Sequence, residues 1–412
     1  MKRFYYLALV ILSLVGLVAV GVRLVEGMKV TALTSAVPWG MWVGLYIYFI
    51  GLSAGSFLLS TLIYVFGVHR YERLGRMALL SALFALFAGM LFIWIDLGHP
   101  WRFYEIFTRS GWTSVLKIEA WLYLLYIGLI LGELWFLMRC DLDRLAFRTA
   151  GWRGRLYRFC SLGWRCPETP EGLAACHQQS MRWVKVLGII GVPTAVGVHG
   201  GTGAIFAVVK AKPLWFTGLF PIIFLVSALV SGAGLMTFLY ALSGRRDQQY
   251  PDILDGLAKL IALFVSLDVV LLGSDLVVKL YGGIPDDVHI WNEIMFGPFW
   301  YVFWGGQVIL AYLVPLFLVS YKGTRRSPFW LGAAGLAIVV GIVAVRLNLI
   351  IPAYLHPPLE GLDVAYMGPR LIYHYYFPSA WEWASSIGLI AFVTLLFSLS
   401  LEVLPMAEGQ EV

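Results

Sequence analysis

The segment Ile93–Phe103 (IWIDLGHPWRF) brings an acid and a histidine together where a long apolar stretch ends. Histidine has an ordinary pKa near neutrality, so His99 can exchange protons at physiological pH, and Asp96 can orient it or take its proton. Pro100 is expected to stop the helix here. Ionisable groups at the end of an apolar helix are costly, which indicates that Asp96 and His99 have a role in proton exchange.

The elements that position this pair are predicted to be membrane helices. The chain has 412 residues, 60% of them hydrophobic and 13% charged, whereas soluble proteins carry about 25% charged residues. This deficit predicts a surface that largely faces lipid. The net charge of +6 does not indicate nucleic-acid binding, because the basic residues lie in short loops.

Ten apolar stretches have about the 20-residue length that spans a bilayer as a helix. The first is expected to be a retained helix, because no small-residue cleavage site follows it. The sequence therefore predicts an all-α integral membrane protein with ten transmembrane helices, at about 5–22, 40–67, 77–97, 113–138, 183–208, 217–242, 257–280, 298–320, 329–351 and 382–404.

Basic and acidic residues alternate between successive loops, and this alternation predicts the orientation of the chain. The loops after spans two, four, six and eight are basic, and the longest of them is 139–182. The other loops carry acids such as Glu105 and Glu360. Both termini are therefore predicted to be cytoplasmic in a bacterial inner membrane, and the Asp96 segment to lie at the outer face.

Two spans contain similar small-residue stretches, Ser53–Gly55 and Gly232–Gly234. Asp96 and Asp275 follow the last glycine of these stretches by the same 41 positions (96 − 55 and 275 − 234). A copy displaced by four helices keeps its orientation, so the spacing predicts two parallel four-helix bundles, although coincidence is an alternative. The predicted parts are an N-terminal flanking helix, a first bundle, a second bundle, and an outer loop with a C-terminal flanking helix, at 1–37, 38–210, 211–351 and 352–412.

Polar side chains within the predicted spans cluster in the outer half of the membrane. A pocket open at one face should show such clustering, whereas a channel or a transporter with a midplane site should show polar groups through the whole depth. Asp275 and Lys279 are four positions apart and could also simply neutralise each other. The outer set is Asp96, His99, Lys117, Glu119, His199, Asp275, Lys279, Arg346, Asn348 and Glu382.

Redox cofactors within the chain are not expected. A haem needs axial ligands at matched depth, and apart from His199 the histidines lie in loops or at span ends. The cysteine spacing is irregular and contains no CxxC pair, so it gives little support for a metal site or an iron–sulfur cluster. Free thiols are expected in the basic loop, at Cys140, Cys160, Cys166 and Cys176.

Four motifs resemble the polysulfide reductase membrane-subunit family, also called NrfD-like, and together they span most of the chain. The ten helices and the last motif are similar to the longer branch, which includes membrane subunits of hydrogenase-2-type, sulfite-reduction-associated and alternative complex III-type assemblies. The motifs are VPWGMWVGLYIYFIGLSAGSF (Val37–Phe57), IDLGHPWRFYEIF (Ile95–Phe107), RLNLIIPAYLHP (Arg346–Pro357) and YFPSAWEWASSIG (Tyr376–Gly388).

The resemblance implies a subunit of a respiratory oxidoreductase that exchanges electrons between membrane quinone and a ferredoxin-like iron–sulfur subunit at the outer face. A further catalytic or cytochrome subunit is expected beside that partner. Menaquinone or ubiquinone would be an exchangeable substrate, with Asp96 and His99 as the first candidates for proton exchange. The other pocket candidates are Trp39, Tyr104, Trp112, Glu119, His199, Asp275, Arg346 and Glu382.

Three other hypotheses remain open. Asp268 and Glu133 could continue a proton path towards the cytoplasm, since acid chains in membranes mark proton relays. Ten helices with a possible repeat also fit a transporter for a small anion or a sulfur compound, although the one-sided polar clustering favours the redox subunit. A purely structural anchor would have no need of buried acids.

Overall fold

Ten helices that are long and apolar enough to cross a membrane make up most of the computed structural model, which describes residues 2–167, 169–242, 250–355 and 376–406. The all-α integral membrane protein predicted from the sequence is therefore confirmed. Parts of the predicted outer loop with Glu360, of the basic loop with Arg245 and Arg246, and of the C-terminal tail lie outside the described residues.

The helices follow one another with short connections, some of which form single helical turns. Helix α10 is π-helical over Val302–Leu313 and α-helical over Val314–Ser320. In chain order the helices are α1 (Lys2–Glu26), α2 (Met41–Tyr64), α3 (Glu72–Asp96), α4 (Val115–Arg148), α5 (Gly151–Cys160), α6 (Pro170–Ala207), α7 (Phe220–Leu242), α8 (Tyr250–Gly282), α9 (Pro285–Met295), α10 (Val302–Ser320), α11 (Pro328–Ile350) and α12 (Ala380–Val403).

The basic segment 139–182 is mostly helical, and the prediction of a long loop there was wrong. Helix α4 continues to Arg148, α5 follows it, and α6 begins at Pro170. The Thr169 hydroxyl accepts a hydrogen bond from the Gly172 N–H at 3.2 Å, and a capping threonine followed by proline is a common helix start. Hydropathy marks only the apolar part of a helix, so it did not detect these polar extensions.

Two groups of four membrane helices have the same internal pairing. In the first group, α2 packs on α3 and α6, and α4 packs on α3 and α6. In the second group, α7 packs on α8 and α11, and α10 packs on α8 and α11. This correspondence supports the two four-helix bundles expected from the repeat, whose exact boundaries stay a prediction.

The two groups meet along α2 and α7, at the small-residue stretches that suggested the repeat. A Cβ atom on Gly55 would lie 1.9 Å from the Ala228 carbonyl oxygen, and one on Gly232 would lie 2.2 Å from the Gly55 carbonyl carbon. The two backbones are therefore so close that neither glycine can carry a side chain without moving a helix. Helix α2 is consequently buried on nearly all sides and lies at the centre of the molecule.

The flanking helices α1 and α12 pack against each other and against α3. The Lys2 ammonium lies 3.4 Å from the Glu402 carboxylate, so the described ends of the protein are on the same side of the helices. An even number of spans requires this arrangement. Which side of the membrane carries the two ends stays a prediction.

Candidate functional site

Asp96 ends helix α3, and an arginine from helix α1 binds the backbone around it. The Arg23 Nε donates a hydrogen bond to the Ile95 carbonyl at 2.8 Å, and its Nη2 donates to the Leu97 carbonyl. These bonds satisfy carbonyls that the end of a helix leaves without partners. Arg23 is only 2% exposed. Asp96 Oδ1 is buried and has no hydrogen-bond partner among the described residues.

Glu382, by contrast, has both carboxylate oxygens bonded. Glu382 Oε2 accepts from the backbone N–H groups of Ala32 and Ser379, each at 2.8 Å. Oε1 accepts from the Tyr376 hydroxyl at 2.6 Å, and that hydroxyl accepts from the Met41 N–H at 2.9 Å. Burial, and then the adjacent carboxylate, raise the pKa of Tyr376, so the phenol keeps its proton. Glu382 thus ties the starts of α2 and α12 together, which explains its burial structurally.

Glu119 lies in a hydrogen-bonded network inside the first helix group. The hydroxyls of Thr202 and Tyr123 both donate to Glu119 Oε1, the tyrosine at 3.0 Å. The Tyr123 and Tyr46 hydroxyls are 2.6 Å apart, which extends the network to α2. Helices α2, α4 and α6 therefore each contribute a hydroxyl to the network of this one acid.

The same face of α4 carries polar groups further into the membrane. The Tyr126 hydroxyl donates to the Ser53 carbonyl at 3.2 Å. Glu133 lies 14 positions beyond Glu119, which is about 21 Å along a helix, and its Oε1 is buried without a hydrogen-bond partner among the residues described. The face thus presents polar side chains at intervals from the predicted outer half to the predicted inner half.

A second buried polar group lies between the two helix groups. Arg346 places its guanidinium carbon 4.9 Å from the centre of the Phe224 ring, and the His199 ring lies 5.5 Å from the same ring. A Cβ atom on Gly51 would lie 3.3 Å from His199 Cε1 and 3.6 Å from Arg346 Nη2. The glycine in α2 therefore leaves room for both side chains.

This group, which we call the Arg346 cluster (Arg346, His199, Asp268 and Tyr312), is incompletely hydrogen-bonded. Asp268 Oδ2 accepts from the Tyr312 hydroxyl at 3.0 Å. Asp268 Oδ1, Arg346 Nε and Nη2, and both ring nitrogens of His199 make no hydrogen bond of normal geometry within the described residues. Buried polar groups without partners are uncommon in native proteins and call for a water, ion or ligand.

A cavity of about 50 Å³ adjoins the Arg346 cluster. Its polar lining is Asp275, Gln307, Asn348 and Arg346. Asp275 also forms an ion pair with Lys279 at 3.1 Å, and the lysine donates to the Leu214 carbonyl at 2.7 Å. The geometry of Asp275 therefore fits the second interpretation, in which Lys279 one helical turn away neutralises its charge.

Three of the predicted pocket residues lie at the surface instead of around one pocket. His99 is exposed, and within the described residues its side chain makes no hydrogen bond to Asp96. Tyr104 is 52% and Trp112 69% exposed, and Trp112 stacks on Trp121. These aromatic positions fit the interfacial belt better than a pocket wall.

Trp39 differs from the other predicted aromatic walls because it packs inside the molecule. Its ring lies 5.8 Å from Phe206, 6.0 Å from Trp215 and 6.1 Å from Tyr354. These rings come from the connection before α2, from the end of α6, from the connection before α7 and from the turn after α11. They form an aromatic layer between the two helix groups.

Sequence reasoning missed several hydrogen-bonding partners of the candidate acids. Arg23 was visible as a lone charge in the first apolar stretch, and Tyr123 as a hydroxyl one turn from Glu119. Tyr46, Thr202 and Tyr376 gave no such signal, because their positions in the sequence do not show which acid they contact.

The cysteines are closer together than their spacing suggested. The sulfur atoms of Cys140, Cys166 and Cys176 all lie within 4.8 Å of one another, and only Cys160 lies apart. None of the four forms a disulfide, Cys176 is buried instead of lying in a solvated loop, and three of the four converge on one place.

Comparison with known proteins identifies the fold family. The family model described as polysulphide reductase, NrfD, matches residues 29–358. The protein is 46% identical to a selenate reductase subunit of Mesobacillus selenatarsenatis, over 100% of its own length and 96% of that relative. It is 29% identical to the Hdr-like menaquinol oxidoreductase integral membrane subunit of Archaeoglobus fulgidus (90% and 85% covered), and 22% identical to a polysulfide reductase chain of Wolinella succinogenes (76% and 93% covered).

Proposed function

The chain belongs to the polysulphide reductase NrfD family, and from this premise we propose that it is the quinone-interacting membrane subunit of a reductase complex. In this proposal it passes electrons between the membrane quinone pool and an iron–sulfur partner subunit at the outer face. The Archaeoglobus relative is named as the integral membrane subunit of an Hdr-like menaquinol oxidoreductase, which supports a quinone as the substrate. A catalytic subunit beside the partner would determine the terminal substrate.

The observation that carries the proposal is the unpaired, buried carboxylate oxygen of Asp96 at the end of α3, which has no hydrogen-bond partner among the described residues. Oxidation of a quinol releases two protons and two electrons, so its hydroxyl needs an acceptor close to the ring oxygen. Asp96 Oδ1 has the free lone pairs for this bond. Arg23 fixes the backbone on both sides of Asp96, which holds the carboxylate in place while its proton moves.

His99 has a separate role in this proposal. It lies in the exposed turn three positions after Asp96, between that carboxylate and the outer aqueous phase. Asp96 would accept the proton at the quinol, and His99 would pass it to the outer aqueous phase. Trp39 and its aromatic layer would shape the pocket. The electrostatic potential of the pocket would be set by the second candidates, which are Glu119, His199, Asp275, Arg346 and Glu382.

Proton transfer towards the inner side is a finer part of the proposal. The polar face of α4, from Glu119 through Tyr126 to Glu133, supports a path within the first helix group. Asp268 lies in the second group and is bonded to Tyr312. Glu119, Tyr126 and Glu133 share one face of α4, whereas Asp268 lies on α8 in the other helix group, so we propose the α4 face as the path and Asp268 as part of the Arg346 cluster.

The test is binding of a quinone analogue to the purified complex, followed by fluorescence quenching. Asp96→Asn should weaken binding, or lower quinol oxidation by about a hundredfold or more, because general acid–base catalysis typically contributes about 10²–10⁴-fold. Glu105→Gln is the matched control, since it removes a carboxylate from the same face, in the helical turn after the Asp96 segment. Unchanged binding and turnover in Asp96→Asn would refute the assignment of Asp96, and no saturable binding in the intact wild-type complex would favour a transporter or an anchor.

A further inference from the structure

Three cysteines from three separate segments converge near the predicted inner ends of α4 and α6. Cys140 lies on α4, Cys166 on the connection that follows α5, and Cys176 on α6. Their sulfur atoms all lie within 4.8 Å of one another, and the Cys140 and Cys176 sulfurs are 2.8 Å apart. The fourth thiol, Cys160 at the end of α5, does not belong to this group.

The three sulfurs are close enough to share a single soft metal ion, and binding would widen the Cys140–Cys176 sulfur separation of 2.8 Å by about 1 Å. Thiolates bind zinc at about 2.3 Å in a tetrahedral arrangement, which places the sulfurs about 3.8 Å from one another. A [4Fe–4S] cluster would need wider spacing, because each thiolate binds a different iron atom, and a [2Fe–2S] cluster would need a fourth ligand. Disulfides cannot use all three thiols, and the predicted cytoplasmic side disfavours them.

An acid one turn from Cys140 holds a second cysteine of the group in position. Asp143 Oδ2 accepts a hydrogen bond from the Cys166 N–H at 2.8 Å. Such bonds outside the ligand set orient metal ligands in known sites. The cysteine on the connection after α5 is therefore tied to the helix that carries Cys140.

A buried arginine supplies charge balance at the same place. Arg139 is 3% exposed, stacks its guanidinium 4.1 Å from the centre of the Trp164 ring, and donates to Ser180 Oγ at 3.0 Å. Three thiolates around a divalent ion carry a net charge of minus one. Arg139 Nη2 lies 3.5 Å from the Cys176 carbonyl oxygen, and the charge of Arg144 acts on Cys166. Positive charge near the site can therefore offset the negative charge of the thiolates.

We propose that Cys140, Cys166 and Cys176 bind one divalent ion of the zinc class through three thiolates, with the fourth position open to water. The ion has a structural role, because it links α4, the connection after α5, and α6. Binding releases the three thiol protons to water and replaces direct thiol–thiol contacts with sulfur–metal bonds. The site is independent of the proposed quinone pocket, which lies at the opposite ends of α3 and α4.

The experiment is metal analysis of the complex purified anaerobically with reductant, for wild type, Cys166→Ser and the matched control Cys160→Ser. Wild type and Cys160→Ser are expected to hold one zinc ion per chain, and Cys166→Ser to lose it. Cobalt added after chelation should give a thiolate-to-cobalt charge-transfer band in wild type and in Cys160→Ser, but not in Cys166→Ser.

Alkylation rates keep the proposal testable if Cys166→Ser does not fold. In the wild-type protein, added zinc should protect Cys140, Cys166 and Cys176 from alkylation and leave the rate at Cys160 unchanged. Failure of wild type to retain zinc after incubation with it, equal protection of all four thiols, or a Cys140–Cys176 disulfide trapped by alkylation in intact cells would each overturn the proposal.

Discussion

Glu119 in the first four-helix group and Asp268 in the second are both buried carboxylates that accept a hydrogen bond from a tyrosine, but they differ in the number of hydroxyls around them. In the first group, Glu119 accepts hydrogen bonds from Thr202 and Tyr123, and Tyr46 extends the network. In the second group, Asp268 accepts from Tyr312 and keeps one oxygen unpaired among the described residues. Within that same part of the protein, Nε and Nη2 of Arg346 and the ring nitrogens of His199 likewise lack hydrogen bonds of normal geometry.

The difference in hydrogen bonding distinguishes an acid held by several hydroxyls from a cluster whose polar atoms need water or a ligand as partners. A fully satisfied buried network stabilises one arrangement of its helices, whereas a partly satisfied one is costly unless water or a ligand completes it. A water needs about 10–15 Å³ and several polar partners, and the cavity of about 50 Å³ beside Arg346 offers both. The Arg346 guanidinium is therefore expected to be hydrated from this cavity.

The largest expected effect on folding comes from a variant that forces the two four-helix groups apart. In Gly232→Leu the new Cβ would meet the Gly55 backbone at 2.2 Å, and backbone cannot give way as a flexible side chain can. Overpacking typically costs about 1–3 kcal/mol, and this clash should exceed that range and prevent accumulation of folded protein. The measurement is the amount of monodisperse protein extracted from membranes. Gly273→Leu is the control, because no atom lies within 4 Å of its Cβ position, and equal yields of the two variants would contradict the close contact of α2 and α7.

The next effect concerns charge within the Arg346 cluster. Arg346→Met should lower the free energy of unfolding by about 3 kcal/mol, the lower end of the range for breaking a buried ion pair. The loss arises because the variant removes the charge that acts on Asp268, although within the described part of the chain the two side chains share no hydrogen bond. The double variant Arg346→Met/Asp268→Asn should lose less than Arg346→Met alone. Thermal unfolding in detergent measures both. If the two losses simply add, the side chains do not interact and the cluster is not a unit.

A smaller effect is expected in the Glu119 network. Glu119→Gln retains an oxygen that can accept from Thr202 and Tyr123, so it should cost at most about 1 kcal/mol of stability. Glu119→Leu leaves both hydroxyls without this acceptor and should cost about 1–3 kcal/mol. The comparison of unfolding temperatures for these two variants tests the network. Equal destabilisation by glutamine and leucine would show that the carboxylate charge matters more than the hydrogen bonds.

The smallest effect is a pH dependence outside the membrane helices, at Asp287 in α9. Burial raises the pKa of Asp287, with Lys279 opposing the shift and Asp275 adding to it. A raised native pKa favours the folded state at low pH, and this contribution is lost as the pH rises from about 4, the ordinary value, through the raised one. Asp287→Asn should match wild type in acid and unfold at a slightly higher temperature near neutral pH. A constant difference across that range would contradict the prediction.

The Glu119 network and the Arg346 cluster show why the sequence predicted candidate residues better than their arrangement. Ionisable residues within an apolar stretch can be recognised from the sequence, because placing such a group in the membrane costs free energy. The residues recognised in this way are Glu119, His199, Asp268 and Arg346. Their partners are hydroxyls and aromatic rings, most of them on other helices, which composition cannot distinguish from belt or core residues. Asp96 and His99 are close in sequence, but the helix end at Asp96 buries one and exposes the other.

The sequence by itself determined the class of protein, the number and order of the membrane helices, and the family, because apolar length, charge alternation and motifs are local properties of the chain. The tertiary structure decided which acids are satisfied, which aromatic residues pack inside, and that Cys140, Cys166 and Cys176 meet. Those facts depend on contacts between helices that lie far apart in the sequence. The close approach of the α2 and α7 backbones at Gly55 and Gly232 sets the contacts between the two groups, and no spacing rule within a single helix encodes them.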